Sequence, residues 1–289
     1  MQKIFVVYIR KKRVKNCDYL YLVKSKWDKV KKTSRQETIK YLGESSFVSL
    51  SDIPEQYRDN PKILAFLLKN TSGDKKNKDA LIKKNQTEFY ANLISGNLTA
   101  SIDLAEKFVS SSSMQHFYEK IITPVMEKVG FDWANNEITI AEEHIASNVV
   151  KSVIKIISEQ YKRNIANKPT IILTTPVGED HAIGCDMLES YLISKGFSVY
   201  NLAPGTPTKP LIDFIKNIQP KYLFISIMLE ENLNSGKRLI KKISDEYSKL
   251  KIFVGGQAFM NNSIQDFGAT IIPTSDSLEQ IPKLLKSKF

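Results

Sequence analysis

Cysteine is scarce in this chain: Cys17 and Cys185 are the only two among 289 residues. With one in each half, they read as reduced thiols rather than a bridge, which excludes a disulfide-stapled scaffold and points to a cytoplasmic setting. Long apolar runs are also missing. The longest near the start, Ile4 to Ile9, is too short for the core of an export signal, and the basic cluster follows it instead of preceding it. No membrane span is expected. Histidine is nearly absent as well, with only His116, His144 and His181, so metal or acid–base chemistry through imidazole has few candidate positions. What remains, 42% hydrophobic and 25% charged residues, is the composition of a folded chain, long enough for two or three domains.

The net charge of +11 has a location. Residues 1–90 hold 21 Lys and Arg against 10 Asp and Glu, whereas the remaining 199 residues hold 21 of each. A neutral body with a basic head points to a polyanion-binding module joined to something else.

Hydrophobic patterning divides the chain further. Lys3 to Ile9, Tyr19 to Lys24 and Glu37 to Leu42 alternate like strands, separated by basic turns at Arg10–Lys15 and Lys29–Arg35. Asp52, Pro54 and Glu55 look like a helix start whose apolar face runs to about Lys69. The expected domains are a small basic β-rich domain over 1–70, a linker over 71–86, a four-helix bundle over 87–164 and an α/β domain over 168–289. In the last, short continuous apolar runs alternate with helical patterns: strands at Ile171–Thr175, Val199–Leu202, Tyr222–Ile227, Ile252–Val254 and Thr270–Pro273. Five such units imply a doubly wound, five-stranded parallel sheet with its ligand at the carboxyl ends of the strands.

The first of these strands runs into Pro176-Val177-Gly178-Glu179-Asp180-His181-Ala182-Ile183-Gly184. A histidine in that loop stands above the sheet edge where a ligand would lie, and imidazole is a ready metal ligand whose second nitrogen needs an orienting partner. Glu179 is two residues away. The pattern Glu179-x-His181-x-x-Gly184, followed by Ser226 after Phe224-Ile225 and Gly255-Gly256 after Phe253-Val254, resembles the cobalamin-binding domains of methionine synthase, corrinoid methyl carriers and adenosylcobalamin-dependent mutases. The resemblance implies that His181 is the lower axial ligand of cobalt, with Glu179 and Asp180 beside it. It also implies that the displaced nucleotide tail lies along Gly184, Ser226, Gly255 and Gly256. Glu179 stands where the methyl-transfer enzymes have Asp.

A second resemblance lies upstream. Pro124 to Gly130 is followed by Trp133, nine residues, then Glu143-His144. This arrangement resembles the helical cap of light-sensing, adenosylcobalamin-dependent repressors of the CarH type, and implies that Trp133 covers the upper face while Glu143 and His144 grip the upper ligand. An indole suits a flat lid, and the other two can hydrogen-bond a ribose or adenine. Those sensors place a second histidine directly after the Trp; here that position is Ala134. They also begin with a winged helix, whereas the stretches Tyr19–Ser25 and Arg35–Gly43 resemble the N-terminal segments of some insertion-sequence transposases.

These readings predict a cobalamin-binding, light-responsive DNA-binding regulator rather than an enzyme, using adenosylcobalamin or methylcobalamin. DNA would be contacted through Arg10, Lys11, Lys12, Arg13, Lys31, Lys32 and Arg35, with self-association left open. The alternative is a corrinoid methyl carrier serving partner methyltransferases. A plain binding or storage protein is a third reading.

Overall fold

The computed structural model describes residues 6–14, 17–28, 33–45, 48, 50–161, 168–259, 266–272 and 278–285. They form two compact units. One holds the N-terminal region with 99–138, the other holds 95–98 with the chain from 139 onward.

The first unit opens with an antiparallel sheet of β1 (Val6–Val14), β2 (Cys17–Asp28) and β3 (Thr33–Glu44) in the order β1-β2-β3. The strands run further than the apolar alternation indicates. Arg10 to Arg13 lie inside β1, paired with Tyr21 to Asp18, so they are strand residues and not a turn. Ladder pairing with β2 outweighs the weak strand preference of four consecutive cations. Arg35 is the third residue of β3, although its side chain lies outside the described set, as do Lys15, Lys29, Lys31 and Lys32 altogether. Val7, Ile9, Leu20, Leu22 and Leu42 form one buried face, closed by Ile53, Ile63 and Leu67.

The next helix, α1, spans Pro61–Ile94. It starts at Asn60-Pro61 and not at Asp52: the Asn60 carboxamide oxygen accepts from the Lys62 amide at 3.0 Å, and proline at the first helical position is already shaped for a helix. Residues 50–52 and 55–57 make only short 3-10 turns. Residues 71–86, read from the sequence as a linker, lie within this helix. Its end comes at Gly96, whose φ of +71° reverses the chain at a conformation costly for other residues.

Helix α2 (Leu98–Ser111) follows, then α3 (Met114–Phe117), which passes through a π turn at Tyr118–Ile122 into α4 (Thr123–Ala134). Phe89, Leu93, Phe108, Phe117, Ile121 and Val129 are buried among them, with the Phe89 and Phe117 rings edge-on at 5.5 Å. Asp132 is buried to 2% exposure. Its carboxylate accepts from the Tyr90 hydroxyl at 2.5 Å and from Lys128 Nζ at 2.7 and 2.9 Å. The Lys128 bond, then the Tyr90 bond, hold this carboxyl below its ordinary value against the opposing effect of burial. Tyr90→Phe should therefore cost about 1 kcal/mol of stability at neutral pH. Because the folded-state pKa is depressed, that contribution is present above the ordinary Asp value and fades as pH falls through the folded one. Thermal melts of both proteins from neutral to acid pH check this; a gap that stays constant would disprove it.

Helix α5 (Ile140–Gln160) opens the second unit with a capping box, Thr139 accepting from the Glu142 amide while the Glu142 carboxylate accepts from the Thr139 amide. It packs along α6. The sheet comprises β4 (Thr170–Thr174), β5 (Ser198–Asn201), β6 (Tyr222–Ser226), β7 (Lys251–Gly255) and β8 (Thr270–Ile271), all parallel, in the order β5-β4-β6-β7-β8. The helices between are α6 (Ile183–Ser194), α7 (Thr208–Ile218) and α8 (Leu233–Glu246), with α9 (Ile281–Leu284) last. Ile172, Leu223, Ile225, Ile252 and Val254 face α7 and α8, while Ile171, Leu173, Tyr222, Phe224 and Phe253 face α6 and α9. Period-two alternation within strands apolar on both sides is what a doubly covered sheet requires. The strand positions agree with the sequence reading to within two residues, except at Pro273, which lies outside the described set. Among the described residues no helix is long and apolar enough to cross a membrane.

Candidate functional site

The strand order reverses between β4 and β6, and such a switch point opens a crevice at the carboxyl edge of a parallel sheet. The loop carrying Glu179 and His181 leaves β4 there. Glu179 has no exposed side-chain surface, while the His181 side chain is 54% exposed. One carboxylate oxygen accepts from His181 Nδ1 at 2.5 Å and from the His181 amide at 3.2 Å. The other accepts from the amides of Met228 and Leu229, just past β6, at 2.8 and 3.0 Å, and from the Asn232 carboxamide at 3.1 Å. Burial alone would raise the Glu179 pKa. The bonds from His181, Leu229, Asn232 and Met228 outweigh it and hold the group at about 2.

This carboxylate fixes the imidazole in turn. The Glu179 bond raises the His181 pKa against partial burial, with the charges of Glu179, Glu143 and Asp180 adding to it. With Nδ1 engaged, Nε2 is the nitrogen left for a metal, at a half-exposed position over the sheet edge. Asp180 is exposed beside it.

Ser226 ends β6 and pairs in register with Gly255 at the end of β7. A methyl group on Gly184, at the start of α6, would lie 3.8 Å from Ser226 Oγ. These three residues thus meet at one place on the carboxyl edge. Gly256 has φ +116°, and a Cβ there would stand 2.2 Å from the Ile227 carbonyl oxygen, so backbone passes backbone with no room for a side chain. Cys185, next to Gly184, is buried, and burial first, then neighbouring carboxylates, push its thiol up to about 12. Both cysteines are free thiols.

The cap candidates divide between the two units. Glu143 and His144 sit on α5, joined by a 2.6 Å contact from His144 Nδ1 to Glu143, which also accepts from Ser147 Oγ at 2.7 Å. Since Glu143 contributes to the raised His181 pKa, its charge is felt at the sheet edge. Trp133, 47% exposed, belongs to the other unit, one residue before the end of α4 at Ala134. His116 is engaged in a helix-start turn, its Nδ1 2.8 Å from Ser112 Oγ. Asn232 and the Met228–Leu229 amides, which complete the Glu179 socket, carry no sequence signal: amides have no side chain to read, and Asn232 is 53 residues from its partner.

An exposed imidazole anchored by a buried carboxylate fits a ligand of cobalt, and the small residues Gly184, Ser226 and Gly255 beside it would leave room for a nucleotide tail. Residues 169–272 match a family described as the B12 binding domain, and residues 86–158 match a second family of the same description. The chain is thus a cobalamin-binding protein, made of a helical and a Rossmann-like B12-binding domain behind an N-terminal sheet. It is 25% identical over 175 residues to trimethylamine corrinoid protein 2 of Methanosarcina mazei, covering 58% of this chain and 80% of that one. It is 26% identical over 158 residues to a trimethylamine corrinoid protein of Methanosarcina barkeri, covering 53% and 73%. The solved monomethylamine corrinoid protein of Methanosarcina barkeri superposes with a TM-score of 0.60 at 16% identity, over 71% of this chain and 98% of that one, and shares the fold. These relatives give no support to a repressor of the CarH type.

Proposed function

We propose that the chain is a corrinoid methyl carrier, taking a methyl group from a methylated amine at one partner methyltransferase and yielding it to an acceptor at a second. The observation that carries this reading is the anchored His181 at the switch point, in a chain whose similar curated proteins are methylamine corrinoid proteins. When bound, the corrinoid supplies a cobalt centre able to take up and release a methyl group. His181 would hold that cobalt through Nε2, and Glu179 keeps the proton on Nδ1 and the ring in place. Ser226 would hydrogen-bond the nucleotide tail, with Gly184, Gly255 and Gly256 giving it close backbone approach. Trp133 would exclude water from the upper face, and Glu143 and His144 would meet whatever occupies it.

The test mixes the cobalamin-loaded chain with a methylamine methyltransferase, a corrinoid-dependent methyltransferase for a thiol, and isotopically labelled tri-, di- or monomethylamine. Label should reach the thiol only when the chain is present. No chain-dependent transfer, together with a change in the adenosylcobalamin-loaded chain under green light, would restore the regulator reading.

A further inference from the structure

The N-terminal sheet lies ahead of both B12-binding segments, and its two faces differ in character. One is the apolar face packed on Ile53, Ile63 and Leu67. On the other, the register sets Arg10 opposite Tyr21, Lys12 opposite Tyr19, and Tyr21 opposite Tyr41; residues directly opposite in antiparallel strands share a face. The rings are contiguous, with centroids 5.1 Å apart for Tyr21 and Tyr41 and 6.3 Å for Tyr19 and Tyr41. Arg10 is braced over this face by its bond to the Gln36 side chain at 2.9 Å. Lys11 and Arg13 alternate to the opposite side and are drawn to Asp18, at 2.6 and 4.0 Å.

A groove of about 590 Å³ runs over the three tyrosines, with Asn85, Lys107 and one carboxylate, Glu44, also lining it. The face therefore combines flat aromatic surface with three cations, Arg10, Lys12 and Lys107, against the carboxylate of Glu44, and its sheet belongs to the part of the chain that holds the whole of the net positive charge.

We infer that this face binds single-stranded nucleic acid, with bases stacked on Tyr21 and Tyr41 and phosphates met by Arg10, Lys12 and Lys107. Charge complementarity selects a polyanion, and the tyrosines select one whose bases are free to stack. A duplex keeps its base faces stacked on each other, so it can use the cations but not the rings. The inference is independent of the chemistry at cobalt, and it revises the sequence expectation of basic turns on duplex DNA: Arg10 and Lys12 belong to the binding face, whereas Lys11 and Arg13 do not.

The experiment uses the full chain loaded with cobalamin, and fluorescence anisotropy of labelled 15-nucleotide oligothymidine, the matching oligouridine, and a 15-base-pair duplex. The two single strands separate a DNA from an RNA ligand. Neutralising three phosphates of a single strand predicts roughly a 20-fold loss of affinity between 50 and 200 mM salt. Losing one stacked ring in Tyr21→Ala should weaken single-strand binding by about 5-fold or more, while Tyr21→Phe, which keeps the stack, should stay within about twofold. Tyr41→Leu, at a 43% exposed position, gives a second ring deletion that leaves the buried face intact. The double variant Arg10→Gln, Lys12→Gln should flatten the salt dependence. Binding of neither strand at 50 mM salt, a preference for the duplex, or full binding by both ring-deletion variants would overturn the inference.

Discussion

Replacing His181 by alanine is expected to lower cobalamin affinity by about 10- to 100-fold or more, the range that loss of even an outer partner costs a metal site, and to change the visible spectrum of what remains bound. Titration of the variant followed by its absorption spectrum checks both, and added free imidazole should restore part of the parent spectrum. The direction with pH is fixed by the raised His181 pKa. Coordination needs the Nε2 lone pair, so it weakens as pH falls through a value above the ordinary 6.5. Below that value a proton competes with cobalt. An unchanged affinity and spectrum in His181→Ala would remove this residue from the metal site.

Glu179→Gln is expected to have the largest effect on stability. The carboxylate is the shared acceptor for the Met228 and Leu229 amides, the Asn232 carboxamide and the His181 ring. A glutamine can satisfy only one side of that socket, because its NH2 group would face donors. Buried donors left without an acceptor cost about 1 to 3 kcal/mol each, so a fall of several degrees in melting temperature is expected. Sign and window follow from the depressed pKa. Glu179 contributes stability that is complete above its ordinary 4.5 and is lost as pH falls towards about 2. The Gln variant should lack that part of the acid dependence, and Glu179→Asp, which keeps the charge on a shorter arm, should fall between. A variant that melts with the parent across this range would show that the socket is not stabilising.

The sheet domain was legible because its strands are short apolar runs that meet core on both faces, a pattern that neither charge nor loop sequence imitates. His181 and Glu179 were legible because their loop follows a buried strand. The N-terminal region was harder to read. Arg10 to Arg13 look like a turn on composition alone, and only pairing with β2 extends the strand through them. Residues 71–86 resemble a linker because lysine and asparagine replace any apolar stripe, yet lysine, leucine, alanine and glutamine are good helix formers, and no proline interrupts them. The Asn232 socket was out of reach, because it joins distant positions through backbone amides.

If the chain carries methyl groups as proposed, the position of Cys185 bears on its chemical cleanliness. A protein that keeps an electrophilic methyl group close to its own side chains risks alkylating itself, and a thiolate is the side chain most prone to it. Cys185 adjoins Gly184 at the cofactor edge, but its thiol stands at about 12 where an ordinary one stands at 9.0, which lowers the thiolate fraction at neutral pH by about a thousandfold. Burial thus leaves this thiol a poor nucleophile at neutral pH, so a carrier built this way would be protected from methylating its own Cys185.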